Sequence, residues 1–412
     1  MIKVQITGKE QIVKVEEGTI ITPLGFSAAG IHTKVKRKRN DMGLIYCEVP
    51  AEAAAVYTLN QIKAAPLKVT KENLDQEGKL QAIIVNSGNA NACTGNQGLF
   101  DAHSMKNAVA NLLSINPHHV AVASTGVIGE KMPMEKIIPG IAHLVPQKNQ
   151  QAALDFNEAI LTTDTCMKTT CYETVIDGVK ITMAGSAKGS GMIAPNMATM
   201  LGFITTDANI SHDHLQSALS AVTNKTFNRI TVDGDTSTND MVVVMASGFA
   251  ENTPLEPSNE EWDQFVQLLE KVCEDLAIMI ARDGEGATKL IEVNVYGAIS
   301  DDEAGKIAKT VVGSDLVKTM VYGSDPNWGR VMMAIGKSGM TLDPENINIS
   351  IGPYSLLENS QPTNYVEETL SDYLKNETVV ININLNIGSG HGKAWGCDLT
   401  YDYVRINASY RT

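Results

Sequence analysis

The sequence lacks the features that mark several large classes of protein. It has no run of about 18 apolar residues, which a transmembrane helix requires, and its start, residues 1–6, has no long apolar stretch of the signal-peptide kind. We therefore expect no membrane partner and a cytoplasmic location. No GxGxxG follows a predicted strand and no GxxxxGK[ST] occurs, so the sequence supports neither a dinucleotide site nor a P-loop.

Cysteine is also sparse, and its spacing excludes the usual frameworks. The six cysteines contain no CxxC pair, and no His or Cys pair lies near the two closest ones. In a chain of this size such cysteines indicate buried thiols in a reducing compartment, without a metal site. The loop residue Cys93 is either a reactive thiol or a small structural residue. The cysteines are Cys47, Cys93, Cys166, Cys171, Cys273 and Cys397.

Positive charge is in deficit, with 33 Lys and Arg against 47 Asp and Glu and a net charge of −14. This balance argues against nucleic acid as a partner, because non-specific binding to phosphates needs excess positive charge. The basic run KVKRKR at residues 34–39 is the exception. Such a run is typical of a solvated loop, and an RNA-binding or targeting role is the alternative.

What the chain does contain is enough apolar material for a large packed core. Hydrophobic residues make up 43% of 412 residues, which suits two or three domains or one layered domain with an appendage. Apolar runs that end in Gly or Asn alternate with helical periodicity, which favours a layered α+β architecture. Strands are predicted at 44–49, 81–86, 119–124, 241–245, 290–295 and 379–386, with 395–404 pairing beside the last, and a hairpin at 172–184. Helices are predicted at 52–64, 99–113, 213–222 and 259–281, the last with a capping box of Ser258 and Glu261.

The most informative segment is KGSGMIAPNMATMLGF at residues 188–203. It places Thr199 at the end of a loop that contains Gly and Pro and at the start of an apolar run. A threonine hydroxyl is a weak nucleophile and needs a base beside it. Cleavage of the Ala198–Thr199 bond would give Thr199 a free α-amine with a pKa of about 8, which can accept the hydroxyl proton. A buried structural Thr is the alternative interpretation.

Several other segments extend the pattern over nearly the whole chain. With the segment at 188–203, they resemble the ornithine acetyltransferase family of arginine biosynthesis, also called glutamate N-acetyltransferase. Together they are highly specific, whereas each alone would be weak. They are NSGNANACTG at 86–95, STGVIG at 124–129, TTDT at 162–165, DGEGATK at 283–289, SDPNWGR at 324–330 and NASYRT at 407–412.

The resemblance implies a fold and a division of the chain. The fold is α+β, a layered α/β/β/α sandwich of the N-terminal-nucleophile-like type with a smaller C-terminal α/β part. Self-cleavage between Ala198 and Thr199 would yield an α fragment, 1–198, and a β fragment, 199–412, which stay together and pair into an α2β2 heterotetramer. No oligomer interface can be read from the sequence itself.

The resemblance also implies the roles of individual residues. Thr199 would be the nucleophile, and Thr125 with Gly126 would form the oxyanion hole. Lys188 suits a substrate α-carboxylate and Glu285 suits the charged amine of ornithine. The implied substrate contacts are Thr162, Lys188, Thr199, Glu285, Asn407 and Thr412, and Thr163 is an alternative to its neighbour Thr162.

The implied reaction is a ping-pong transfer. Thr199 takes the acetyl group of N2-acetyl-L-ornithine and releases ornithine, and L-glutamate then accepts the acetyl group. No metal and no tightly bound cofactor is implied. Acetyl-CoA is an additional donor if the protein is bifunctional, and no residue decides this. A monofunctional ornithine acetyltransferase, a related N-terminal-nucleophile aminopeptidase or hydrolase, and a metabolite-binding protein that never cuts itself are the alternatives.

Replacing Thr199 by Ala should leave the chain uncut, because the same hydroxyl would attack the Ala198 carbonyl. Intact-mass measurement of the denatured protein should give two species for the wild type, ending at residue 198 and beginning at residue 199, and one for Thr199→Ala. A cut Thr199→Ala chain would show that the nucleophile is misassigned.

Overall fold

The computed structural model describes residues 12–194 and 200–409, and these ranges contain sixteen strands and eleven helices. The strands are β1 Val13–Lys14, β2 Phe26–Ile31, β3 Met42–Tyr57, β4 Lys79–Asn89, β5 Val120–Val127, β6 Lys168–Ile176, β7 Val179–Lys188, β8 Leu201–Thr206, β9 Ile230–Thr231, β10 Met241–Ala246, β11 Leu290–Ala298, β12 Asn348–Ile351, β13 Tyr354–Glu358, β14 Gln361–Pro362, β15 Thr378–Asn384 and β16 Gly390–Cys397.

The helices connect and cover these strands. They are α1 Ala65–Glu77, α2 Gly95–Leu113, α3 Met134–Ile141, α4 Gln150–Ile160, α5 His212–Lys225, α6 Trp262–Arg282, α7 Asp301–Val312, α8 Asp315–Gly323, α9 Gly329–Gly336, α10 Glu367–Tyr373 and α11 Tyr401–Ser409. Side-chain caps mark several starts: the Asn149, Ser211 and Ser300 side chains accept from backbone N–H groups of α4, α5 and α7.

The larger sheet has nine strands in the order β1-β6-β7-β8-β10-β3-β4-β5, with β2 also paired to β3. Strand β3 holds it together, because its first half lies between β2 and β4 while its second half pairs with β10. A register shift between Tyr46 and Ala51 separates the two halves. Such an irregularity bends a strand locally, so one strand serves two parts of the sheet.

Helices cover this sheet in separate core clusters. Helices α5 and α6 pack with apolar side chains of β6, β7, β8 and β10, and α4 packs on β2 and β3. The apolar side chains of α6 face this core, and Phe265, Val272 and Ile280 are fully buried. Helices α2 and α3 share a further cluster with β4 and β5.

The C-terminal part forms a second, seven-stranded sheet in the order β14-β13-β12-β15-β11-β16-β9. Its apolar side chains pack with α7, α8, α9 and α10. Strand β9, far earlier in the chain, joins this sheet beside β16. The predicted α+β class, with layers of helix on sheet and a smaller C-terminal α/β part, is confirmed.

The helix predicted at 52–64 is wrong. Residues 52–57 continue β3, and the helix α1 begins only at Ala65, with Pro66 in its first turn. The run of alanines has high helix propensity, but β10 and β4 pair with it and its side chains are buried on both faces. Small side chains suit this crowded central position, and long-range pairing overrides the local preference.

Two further boundaries differ from the prediction. Helix α6 begins at Trp262, three residues after the predicted start, and the Ser258 hydroxyl donates to the Glu256 carboxylate instead of capping the helix. In the predicted strand 395–404 only residues up to Cys397 are extended, and they pair with β11, not with β15. Residues 401–409 form α11.

The remaining predicted strands and helices are confirmed within a few residues, including the hairpin of β6 and β7 around Asp177 and Gly178. No helix within the described ranges combines the length and apolarity needed to cross a bilayer.

Candidate active site

A cavity of about 380 Å³ opens where several strands and loops of the larger sheet end. Six predicted site residues that the structure describes all line it, although they come from five separate segments. Thr163 lines it too, so the choice between Thr162 and Thr163 stays open. The six are Thr125, Gly126, Thr162, Lys188, Glu285 and Asn407.

Three predicted site residues, Ala198, Thr199 and Thr412, lie outside the described ranges, as do Pro195 and Asn196. The residues on either side of the gap line the cavity: Gly191 and Met192 before it, Met200 and Leu201 after it. Described residues close to the gap on both sides therefore belong to the cavity lining.

Gly126, at the end of β5, has room for no side chain. Its φ is +134°, which favours glycine. A Cβ there would lie 2.4 Å from the Gly88 carbonyl carbon and 2.6 Å from the Asn89 nitrogen. Beside it, the Thr125 hydroxyl accepts a hydrogen bond from Lys188 Nζ at 3.4 Å. A backbone and a hydroxyl group thus face the cavity at adjacent positions.

A buried network of charges fixes the wall around Lys188. Asp164 accepts hydrogen bonds from the backbone N–H of Thr162 at 2.9 Å and of Gly189 at 2.7 Å. The Lys168 ammonium, fully buried, bridges Asp164 at 2.7 Å and Asp283 at 2.5 Å. Burial opposes ionisation of Asp164, but Lys188 and Lys168 outweigh it and lower the pKa of this carboxyl.

The same two carboxylates raise the pKa of Lys168 despite the opposing effect of its burial. Asp283 also accepts from the Thr165 backbone N–H and hydroxyl. Asp164 and Lys168 therefore keep their charges at neutral pH, and the network joins the loops at 162–165, 188–191 and 283–285.

Glu285 is 7% exposed and follows the network residue Asp283 by two positions. Its backbone N–H donates to the Ser190 carbonyl at 3.0 Å, and its carboxylate accepts from Asn407 Nδ2 at 2.8 Å. A Cβ on Gly191 would lie 2.3 Å from the Glu285 carboxyl carbon. Gly191 therefore leaves the space that this carboxylate occupies.

The helix α11 closes one side of the cavity with Tyr403 and Asn407. Gly286 permits its approach: its φ is +70°, and a Cβ would meet the Tyr403 nitrogen at 2.6 Å. Its carbonyl also accepts from the Thr400 hydroxyl at 2.7 Å. The predicted return of the C-terminal tail to the site is thus seen as far as Asn407.

The polar segment DGDTSTND at 233–240 supplies much of the wall and was not predicted from the sequence. Asp233 accepts from the backbone N–H of Met192 at 2.6 Å and of Ile193 at 2.8 Å. The Thr236 hydroxyl donates to the Ala194 carbonyl at 3.0 Å. One feature of the sequence could have indicated this segment: eight consecutive polar or Gly residues lie between the strands β9 and β10.

Asp240 ends this segment as a fully buried carboxyl on the cavity wall. Its Oδ2 has no hydrogen-bond partner among the described residues. Burial raises its pKa well above the ordinary carboxyl value, although Ser237 and Lys188 favour the ionised form. Two carboxyls that both interact with Lys188 are thus shifted in opposite directions: burial raises the pKa of Asp240, whereas Lys188 and Lys168 lower the pKa of Asp164 against the effect of burial.

The described residues include no group of three or more His, Cys, Asp or Glu side chains placed to hold a metal ion.

The family model and two curated relatives that match this chain all carry the name ArgJ. A family model described as the ArgJ family matches residues 27–412. The chain is 63% identical over 402 residues to the arginine biosynthesis bifunctional protein ArgJ of Halalkalibacterium halodurans, covering 97% of this chain and 98% of that protein. It is 60% identical over 402 residues to the protein of the same name from Geobacillus kaustophilus, covering 98% of each.

Two solved structures are also similar. One is the arginine biosynthesis bifunctional protein ArgJ of Bacillus halodurans, at 58% identity and a TM-score of 0.46. The other is the ornithine acetyltransferase of Mycobacterium tuberculosis complexed with ornithine, at 38% identity and a TM-score of 0.42. Each match covers 46% of this chain and 100% of the other.

Replacing Gly126 by Ala should lower kcat by about 10²–10³-fold, because the added Cβ displaces the backbone N–H from the cavity. The matched control is Gly129→Ala: φ is +82° there, but no atom lies within 4 Å of the added Cβ. Steady-state kinetics of both variants provide the measurement. Equal kcat values in the two would contradict a role for the Gly126 backbone.

Asp240→Asn should change the pH dependence of stability. A carboxyl whose folded pKa exceeds its unfolded pKa costs the wild type stability as pH rises through that interval, and Asn has no such cost. The difference in Tm, variant minus wild type, should therefore become more positive between pH 4 and pH 9. Asp372→Asn, at an exposed position, is the control. A difference that does not rise with pH would show that Asp240 is ionised throughout.

Proposed function

The chain belongs to the ArgJ family, and we propose that it transfers the acetyl group of N2-acetyl-L-ornithine to L-glutamate. The observation that carries the proposal is that Thr125, Gly126, Thr162, Lys188, Glu285 and Asn407, predicted from separate motifs, line one cavity. The enzyme is an acyltransferase of arginine biosynthesis.

Thr199 is the proposed nucleophile, with its own α-amine as the base once the preceding bond is cut. Met200, the next residue, lines the cavity, and its carbonyl accepts from the Met241 backbone N–H at 3.0 Å. This anchoring supports delivery of Thr199 to the acyl group, because the following backbone is fixed in the sheet.

Self-cleavage would use the same hydroxyl. Its oxygen attacks the Ala198 carbonyl, the peptide nitrogen leaves as the α-amine of Thr199, and water then hydrolyses the ester. The hydrogen bonds of Asp233 to Met192 and Ile193, and of Thr236 to Ala194, hold the chain before the cut. Held ends favour attack by restricting the geometry of the intervening peptide.

The cavity walls suit acetylornithine. Lys188 would pair with its α-carboxylate, and the buried carboxylate of Glu285, oriented by Asn407, would pair with the side-chain amine of the ornithine moiety. Either Thr162 or Thr163 would add a hydrogen bond, and Thr412 is proposed from its motif alone. As Thr199 attacks, the Gly126 N–H and Thr125 hydroxyl would stabilise the oxyanion.

Glutamate then enters the vacated site and its amine attacks the acetyl-Thr199 ester, giving N-acetylglutamate and the free enzyme. The acetyl group stays on the protein between the two half-reactions, so the proposal needs no metal or bound cofactor. Acetyl-CoA is proposed as a second donor to Thr199, which would make the enzyme an amino-acid N-acetyltransferase as well.

Cleavage would leave the two fragments joined. Strand β7 lies before the cut and pairs with β8 after it, and β3 pairs with β10. Backbone ladders of this length support lasting association of fragments 1–198 and 199–412, and an α2β2 assembly is proposed from the family resemblance.

Transfer and hydrolysis are separated by following radiolabelled acetylornithine. With glutamate, the label should appear in N-acetylglutamate in proportion to ornithine released, with parallel double-reciprocal plots. Without glutamate, little acetate should form. Thr199→Ala should be inert in both assays. Acetate release that does not depend on glutamate would identify a hydrolase instead.

A further inference from the structure

The basic segment at residues 34–39 is a loop whose backbone is fixed by hydrogen bonds. The fully buried carboxylate of Asp41 accepts from the Thr33 N–H at 2.6 Å, the Thr33 hydroxyl at 2.8 Å and the Lys36 N–H at 3.0 Å. Lys34 and Arg39 have φ values of +68° and +67°. The expectation of a simple solvated loop is therefore only half right: its tip is exposed but its backbone is fixed.

This loop lies against the back of the cavity wall. Lys36 Nζ donates to the Leu161 carbonyl at 2.9 Å, and Arg39 contacts the Asp164 carbonyl at 3.5 Å. Residues 161 and 164 bracket Thr162 and Thr163, which line the cavity. The burial that accompanies this contact lowers the pKa of Lys36 to about 8, despite the opposing effect of Asp41.

A second contact reaches the proposed oxyanion hole. A Cβ on Gly88 would lie 3.0 Å from the Lys36 side chain, and Gly88 pairs with Gly126 in the sheet. The loop thus contacts residues that lie next to the cavity lining in sequence or in the sheet, namely Gly88, Leu161 and Asp164.

The loop presents positive charge without matching carboxylates. Lys34, Arg37, Lys38 and Arg39 are exposed, and none of them forms an ion pair within residues 12–194 and 200–409. Lys136 of α3 adds a fifth cation, because its ammonium donates to the Lys34 carbonyl at 2.9 Å. The neighbouring carboxylates, Asp41, Glu158 and Asp164, are already bonded to backbone N–H groups.

This concentration of cations is unusual in a chain of net charge −14. An acidic protein repels polyanions elsewhere on its surface, so a local positive patch directs them to one place. Acetylornithine and glutamate do not need this patch, since the cavity itself carries Lys188. A donor whose acyl end enters the cavity while its phosphates remain outside would use it.

We propose that Lys34, Arg37, Lys38, Arg39 and Lys136 bind the phosphates of a nucleotide-linked thioester donor of the acetyl-CoA class. The inference rests on the proposed transfer to Thr199. Arg side chains match phosphate oxygens with paired N–H donors. With the phosphates held on this loop beside the cavity wall, the Thr199 oxygen would attack the acetyl carbon and the carbon–sulfur bond would break. The α-amine of Thr199 passes the hydroxyl proton to the departing thiolate.

The test is the double substitution Arg37→Glu/Lys38→Glu in the self-processed enzyme. The double variant loses two positive charges that contact phosphate and places two negative charges there. KM for acetyl-CoA should therefore rise by about tenfold or more. KM for acetylornithine should stay within about twofold, which also shows that the variant folds. S-acetylpantetheine, which has the same thioester and no phosphate, should be used equally by variant and wild type.

The matched control is Lys306→Glu/Lys375→Glu, which makes the same change of charge at two exposed lysines of the C-terminal α/β part. It should leave KM for acetyl-CoA unchanged. Adenosine 3′,5′-bisphosphate should compete with acetyl-CoA in the wild type and lose its effect in Arg37→Glu/Lys38→Glu.

Other outcomes would overturn the inference. An unchanged KM for acetyl-CoA in the loop variant does so, as does an equal rise for S-acetylpantetheine. The inference is also wrong if the wild type uses acetylornithine but neither uses acetyl-CoA nor binds the bisphosphate. That result would leave the proposed ornithine acetyltransferase activity intact. Loop-dependent binding of a single-stranded RNA oligonucleotide, without binding of the bisphosphate, would assign the loop to nucleic acid. Only a wild type inert with acetylornithine counts against the proposed function itself.

Discussion

The cavity depends on the ion pairs that Lys168 makes with Asp164 and Asp283. All three groups are buried, and breaking a buried pair by removing one partner typically costs about 3–5 kcal/mol, because the remaining charge is left uncompensated. Asp164 and Asp283 also bind backbone N–H groups of the loops that carry Thr162, Thr165 and Gly189. The network therefore fixes the relative positions of loops that lie more than a hundred residues apart in sequence.

Around this fixed wall the site separates its charges by environment. Burial opposes ionisation of both Asp164 and Asp240, but two ammonium groups outweigh it at Asp164 and lower that pKa, whereas at Asp240 burial outweighs Ser237 and Lys188 and raises the pKa. Glu285 accepts a hydrogen bond from the Asn407 amide instead of pairing with a lysine, and it is the carboxylate that we propose to bind the substrate amine. Carboxyl groups in this part of the protein thus differ in environment: Asp164 lies in an ion-pair network, Asp240 is buried without a cation bonded to it among the described residues, and Glu285 lines the cavity beside an amide.

The α+β class was predicted correctly, and the positions that the family resemblance supplied, Thr125, Lys188 and Glu285, line one cavity although they belong to separate motifs. Their roles stay predictions. The helix expected at 52–64 failed because alanine favours helices locally, while the pairing of β3 with β10 joins residues far apart in the chain. Asp233 was missed for the same reason, since its partners Met192 and Ile193 lie about forty residues earlier. Thr199 remains a prediction.

The two sides of the cavity wall differ in how deeply their residues are buried. On one side are the buried Lys168 network and strands of a nine-stranded sheet, whereas on the other is α11, which contains no buried residue and rests on a few hydrogen bonds. Elements with little burial unfold locally at low free-energy cost. Amide protons of α11 should therefore exchange with solvent sooner than those of β7 or β10.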